Sequence, residues 1–435
     1  MPYSGKMEGN IEEPMDNTVV TKKMFLWNLT GCIINAATSF LMLASVTRAA
    51  GLTDAGYFSI ALATAQLLLS FGKYGVRAYQ ATDVRNDVKS ISYIMHRGIV
   101  VAGMMFFSLA FILISGYSAY KGKIVFCVCG LKALDAIEDV FHGELQKKGR
   151  LDIAGKLLTG RNLLTLVLFE VLIFSTNDLL RSCFLTFVIS LVICLGLNIK
   201  VTNAQHSTCL RHSTDKAAAK ISDGCIKEIL HVFGDCFPLF ISSFLSILIY
   251  NTPKYAIDVL NSSEKQAIYS MLFMPAFVIN LISEFVFKPL LTPLAVHWES
   301  RNRPAARSII RKLFLAVLAI ALIILFGGFF LGIPLLGWFY GVQLADYKRE
   351  LLLLLIGGGF SAAVYLSYNL LTMMRAQKTI LLGYLIGSIL MVPTAWGLVS
   401  RWSLLGASCA YVFIEAAVAV YFYGCIKRRL GRANT

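Results

Sequence analysis

The sequence is divided into repeated apolar windows of roughly 20 residues, separated by short polar and mostly basic stretches. At 1.5 Å per helical residue, such a window matches the ~30 Å hydrocarbon layer of a bilayer. Inside that layer a backbone must satisfy its own polar groups, which only helices and closed barrels can do. The period-2 alternation of a membrane barrel is absent. The chain is 57% hydrophobic and 15% charged, whereas soluble domains average ~45–50% apolar and ~25% charged. It therefore reads as an all-α integral membrane protein.

About twelve spans are expected, near residues 24–46, 55–75, 98–118, 122–142, 155–176, 181–200, 229–250, 267–291, 312–334, 350–371, 379–400 and 404–425. The fourth is the weakest, because Lys132, Asp135, Glu138, Asp139 and His142 interrupt it. The long polar stretch near 200–228 divides the spans six and six. This predicts a tail at 1–23, a first lobe at 24–200, a linker at 201–228, a second lobe at 229–425 and a tail at 426–435. A weak internal echo supports a repeat: Ala55-Gly56-Tyr57-Phe58-Ser59 in one half against Ala267-Ile268-Tyr269-Ser270 in the other. Laying Ser59 on Ser270 also lays Arg77 on Lys288.

The chain carries 40 Lys and Arg and a formal charge of +15. About 26 of the 40 fall in the loops and tails on one side of the spans and about nine on the other, which places both termini in the cytoplasm. The smaller set includes Lys254 and Lys265, in what reads as the longest outer loop, roughly 251–266. Charge spread in this way sets topology and meets lipid headgroups, so nucleic acid is not an expected partner. The first residues, with Glu12, Glu13, Pro14 and Asp16, read as a polar tail rather than a signal peptide. Ten scattered cysteines, mostly in apolar windows, give neither metal-ligand spacing nor a disulfide framework.

The remaining five basic residues, Lys73, Lys132, Lys156, Arg161 and Lys288, fall within the spans. Ionisable groups there are costly and mark functional sites by default, usually facing a cavity. Several share a helical face. Span 2 aligns Ser59, Gln66, Ser70, Lys73 and Arg77, and span 4 gathers its five charged or imidazole side chains on about a third of its circumference. Span 8 aligns Asn280, Glu284 and Lys288, span 1 aligns Asn28 and Asn35, and span 7 aligns Asp235, Pro238 and Ser242. A cationic cavity suits an anionic solute, phosphate above all. Asp135, Glu138, Asp235 and Glu284 are candidates for coupling to H+ or Na+. A structural role competes with each of these: snorkelling for Lys73 and Arg77, helix–helix glue for the hydroxyl residues, and mutual neutralisation of Lys132 or Arg161 with the acids of span 4. Walker, dinucleotide-binding and nucleophile-elbow motifs are missing, so the chain is not expected to be an enzyme or to carry a cofactor.

The opening pattern Asn28, Asn35, Arg48-Ala49-Ala50-Gly51 and Ala55-Gly56-Tyr57-Phe58-Ser59 resembles that of the Wzx-type O-antigen flippases. These belong to the multidrug/oligosaccharidyl-lipid/polysaccharide (MOP) exporter superfamily. Phe71-Gly72-Lys73-Tyr74-Gly75-Val76-Arg77, Asn251-Thr252-Pro253-Lys254-Tyr255-Ala256-Ile257 and Pro289-Leu290-Leu291 are similar to later segments of that family. The resemblance implies a V-shaped bundle of two six-helix lobes in a bacterial inner membrane. It implies a cargo of undecaprenyl-pyrophosphate-linked oligosaccharide, moved between leaflets for O-antigen or capsule assembly. A polysaccharide polymerase and a chain-length regulator would be its partners. The rival readings are a cation-coupled multidrug antiporter and a membrane polymerase or glycosyltransferase.

Overall fold

A computed structural model describes residues 17–83, 88–147, 149–205, 223–300 and 302–432. Its helices are α1 (Asn17–Lys73), α2 (Val76–Thr82), α3 (Ser90–Ile114), α4 (Ala119–Lys147), α5 (Leu151–Thr176) and α6 (Leu179–Gln205). They continue as α7 (Asp223–Leu260), α8 (Ser263–Glu299), α9 (Arg303–Gly327), α10 (Ile333–Tyr340), α11 (Lys348–Met373) and α12 (Gln377–Arg432). A π-helical turn, Gly328–Gly332, joins α9 to α10 as one pass.

Among the described residues, eight helical stretches are long and apolar enough to cross a bilayer. Two of them, α1 and α12, reverse direction. At Gly51 the backbone takes φ 88°, ψ 178°, a conformation that glycine adopts without steric cost. The two legs of α1 then lie side by side, so that Thr38 and Met42 share a small cavity with Phe58 and Leu62. The break in α12 is at Ser403, φ 51°. Glycines let its legs close up, with Gly383 against Phe422 and Gly387 against Val418. Counting both legs of each, together with α4 and α6, the described residues make twelve passes. The protein is a multi-pass membrane protein. Because the number of passes is even, the ends of α1 and α12 nearest the termini lie at one end of the bundle, called here the terminal end.

α1, α3, α4, α5 and α6 pack mainly on one another, as do α7, α8, α9, α11 and α12, with α1 against α7 and α8 forming most of the seam. The connection after the seventh span departs from the sequence reading. Residues 251–260 continue α7, leaving only Asn261 and Ser262 between α7 and α8, so no long outer loop exists there. Pro238 and Pro253 sit inside α7. Membrane helices tolerate such prolines because neighbouring groups re-satisfy the freed backbone. As a consequence Lys254 is buried, 8% exposed, rather than standing in a loop.

Candidate functional site

The end of the seam opposite the termini is closed by side chains from both halves. Arg48 donates through Nε to the Phe339 carbonyl at 2.9 Å and through Nη2 to that of Trp338. Lys121 Nζ stands 2.7 Å from Asp258, whose carboxylate also accepts from the Tyr117 hydroxyl at 2.9 Å. Burial, reinforced by that carboxylate, pushes the Tyr117 phenol well above its usual range. Ser59 and Ser270 meet at 2.5 Å. A Cβ on Gly56 would lie 2.0 Å from the Ser263 carbonyl oxygen, so the helices reach this distance only because residue 56 is glycine.

Beneath this closure, toward the terminal end, lies a chamber of about 360 Å³ between the halves. Its walls come from both legs of α1 (Asn35, Gln66, Lys73), from α2 (Arg77), from α4 (Lys132, Asp135, Glu138, Asp139, His142), and from α7 and α8 (Tyr250, Lys254, Ser270, Phe273). The α4 stripe that interrupts an apolar span is therefore the charged wall of a cavity. Its carboxylates are held by guanidinium and ammonium groups. Arg161 donates to Glu138 at 2.6 Å and to Asp135, which also takes Lys132 at 3.1 Å. Arg97, 2% exposed, donates to the Gly72 carbonyl at 2.5 Å and to Asp139 at 3.1 Å, while Arg77 stands 3.6 Å from the same carboxylate.

Lys73 and Lys254 stand outside these ion pairs. The Lys254 ammonium lies 4.8 Å from the Phe273 ring centroid and 5.4 Å from that of Tyr250, at the floor of the chamber under the closed end. Among the described residues, six cations, Lys73, Arg77, Arg97, Lys132, Arg161 and Lys254, thus face three carboxylates on or directly behind the wall. The excess charge is positive in a low-dielectric enclosure, where it attracts an anion strongly.

Lys73, Arg77, Lys132, Asn35, Gln66, Asp135 and Glu138 come together on this chamber. Arg161 stands just behind it, 4% exposed, lining a smaller neighbouring cavity. Asn280 faces a second chamber in the α7–α12 half. Lys156 is exposed and lies over Trp27, 5.4 Å from the ring centroid. It is five residues from Arg161, about 140° around the helix, so the two cannot share a face. Asn28, half-buried, is outside the chamber lining, as is Ser242. Asp235 is exposed near the terminal end, accepting from the Tyr79 hydroxyl at 2.9 Å and standing 3.3 Å from His231. Glu284 and Lys288 belong to α8, but their side chains lie outside the described residues. The sequence reading did not single out Lys254, Arg97 or Glu415. Among the described residues no group of His, Cys, Asp and Glu is arranged to hold a metal ion.

The fold is similar to the V-shaped helical bundle of solved MOP-superfamily transporters. A MATE-family multidrug resistance transporter in an inward-facing conformation superposes with a TM-score of 0.70 at 13% identity, covering 93% of this chain and 95% of that one. A MATE-family transporter in an outward-facing conformation gives 0.60 at 14% identity, covering 95% and 96%. In sequence, the chain is similar to the capsular polysaccharide biosynthesis protein CapF of Staphylococcus aureus, 22% identical over 416 residues, 93% of this chain and 99% of that protein. No protein-family model matches the chain.

Proposed function

We propose that this chain is a flippase that carries undecaprenyl-pyrophosphate-linked oligosaccharide repeat units from the cytoplasmic to the periplasmic leaflet of a bacterial inner membrane, for O-antigen or capsule assembly. The observation that carries this reading is the excess of positive charge in a chamber closed at one end. A diphosphate brings two or more negative charges and many acceptor oxygens, which ammonium and guanidinium groups bind as donors. Near full-length similarity to a capsular polysaccharide biosynthesis protein supports the same cargo.

In this reading the termini are cytoplasmic, as the loop charges require, and the structure represents the inward-open state. Lys73, Arg77 and Lys132 take the diphosphate, and Lys254 waits at the floor. Lys288 remains a candidate for the same role. Translocation by alternating access parts the Ser59–Ser270 and Lys121–Asp258 contacts and closes the terminal end. Asp135 and Glu138 are committed to Arg161 and Lys132, so of the described acids considered for H+ or Na+ coupling, Asp235 remains freer to serve.

The fold is shared with multidrug exporters, but a net-positive chamber repels the organic cations that a cation-coupled drug antiporter would carry. A polymerase or glycosyltransferase reading has no catalytic loop to rest on among the described residues at the closed end, where the connections are short. Deletion of the gene tests the proposal. Surface glycan should be lost while lipid-linked repeat units accumulate on the cytoplasmic side. Normal surface glycan, in a host with no second flippase gene, would refute it.

A further inference from the structure

The second chamber, about 200 Å³, lies wholly within the α7–α12 half, yet Tyr250, Phe273, Phe277 and Leu281 line both it and the cationic chamber. The two are thus neighbouring rooms with a shared aromatic partition, in which the Tyr250 and Phe273 rings stack 5.9 Å apart, 16° from parallel. Their chemistry is opposite. Among the described residues, no lysine or arginine lines the second room. It has instead three more tyrosines, Tyr365, Tyr384 and Tyr411, and one carboxyl, Glu415, 6% exposed. Asn280 projects there as well. Its amide nitrogen is 3.2 Å from Ser361 Oγ, while its carbonyl oxygen has no hydrogen-bond partner.

An ionisable group in a membrane helix with no ion-pair partner is expensive to keep, and an orphaned amide oxygen adds to the cost. Both expenses are offset if a ligand supplies the missing partners. That ligand is not an anion, since no cation among the described residues is present to receive one. It offers hydroxyl or amide hydrogens to Glu415 and to Asn280 Oδ1, and it presents a flat C–H face to tyrosine rings. At ~30 Å³ per water the room holds about seven waters, comparable to one sugar ring and too little for a chain.

We infer that this second room is a sugar-ring subsite: a pyranose lies against Tyr365, Tyr384 and Tyr411 with its polar groups on Glu415 and Asn280, while its diphosphate remains among the lysines next door. This rests on the flippase reading and adds to it a part of the protein that recognises the sugar nearest the diphosphate.

The test measures binding by the full-length purified chain in nanodiscs to two sets of probes. One is undecaprenyl diphosphate; the other is undecaprenyl diphosphate bearing a single glucose, galactose or N-acetylglucosamine. The wild-type chain should bind at least one glycosylated lipid about tenfold more tightly than the bare diphosphate. Glu415→Gln, which keeps the shape, and Tyr411→Phe, which keeps the ring, should shrink or erase that preference and leave bare-lipid affinity unchanged. A wild-type chain with no preference for any sugar, or variants that retain the full preference, would overturn the subsite while leaving the flippase reading intact. So would variants that lose only dependence on Na+ or pH, which would make the room a cation site. Failure to bind any of these lipids would sink the flippase reading itself.

Discussion

The hydroxyls of Ser59 and Ser270 meet at 2.5 Å across the seam, and the two residues stand 211 positions apart in the chain. Thr53 and Glu264, a turn and a half nearer the closed end, also touch, at 3.2 Å and with the same 211-residue separation. Two contacts at one constant offset mean that the second leg of α1 and α8 run side by side in the same direction and in register. Parallel repeats related by an axis along the helices, as known among transporters, would give this arrangement. The closed end of the chamber is therefore also where these two matched helices touch.

Cysteines placed at both hydroxyl positions, Ser59→Cys with Ser270→Cys in a background without the native cysteines, should form a disulfide on mild oxidation. The side chains already approach within the reach that such a bond requires. The link should stop transport, and reductant should restore it. Mass spectrometry of the linked peptides, paired with a transport assay, checks both outcomes. Undiminished transport by the fully linked protein would show that this contact does not have to part.

Gly56→Ala places a methyl where the Ser263 carbonyl oxygen lies. Overpacking of this kind typically costs about 1–3 kcal/mol, and here the strain is relieved only if the seam opens. Cross-linking of the Ser59→Cys, Ser270→Cys pair should fall severalfold in the Gly56→Ala background, and thermal stability should drop by a few degrees. An unchanged cross-linking yield would mean that the helices part without cost.

Arg161 and Lys73 should separate structure from binding. Arg161→Ala removes the guanidinium that Asp135 and Glu138 share in the interior, leaving Asp135 with Lys132, and breaking a buried pair commonly costs about 3–5 kcal/mol. Low yield and a clearly lower melting temperature in detergent are expected. Lys73→Ala breaks none of the ion pairs described above. It should leave melting within about 1 kcal/mol of wild type, as for most substitutions outside tightly packed or paired sites, and weaken binding of undecaprenyl diphosphate about tenfold.

Lys254→Met keeps the length and apolar stem of the side chain while removing its charge. The ammonium lies against aromatic rings rather than in an ion pair, so the fold should tolerate the change. Affinity for the diphosphate lipid should fall about tenfold, while Lys156→Met, at the exposed position over Trp27, leaves it unchanged. Equal effects of the two substitutions would remove Lys254 from the floor of the binding chamber.

The sequence made the passes legible because apolar length alone decides whether a helix can span the layer. It made the α4 wall legible because charges gathered on one face of an apolar helix persist only where that face meets water or opposite charge. Lys254 was hidden by its neighbours: Asn251-Thr252-Pro253 has the composition of a turn, and only tertiary packing keeps the helix running through it. Arg97 looked like one more loop charge, since its partners, the Gly72 carbonyl and Asp139, are joined to it only by the fold. Glu415 gave no signal because it stands alone on its span, and the tyrosines that surround it come from α7, α11 and both legs of α12. Lys156 and Asp235 showed the converse. Their residue types suggested the chamber, but the rotation of α5 and the position of Asp235 near the terminal end of α7 direct them elsewhere.

Transbilayer movement in reconstituted vesicles tests the central claim most directly. Purified full-length protein would be placed in liposomes carrying lipid-linked repeat units extracted from the source bacterium, and glycan exposure on each leaflet followed with a membrane-impermeant glycan-modifying enzyme. A flippase of the kind proposed should speed equilibration at least tenfold over protein-free vesicles, and the double variant Lys73→Ala, Lys254→Met should lose most of that gain. Equilibration no faster than in protein-free vesicles, or a gain that survives the double variant intact, would contradict the assignment of the cationic chamber as the path of the diphosphate.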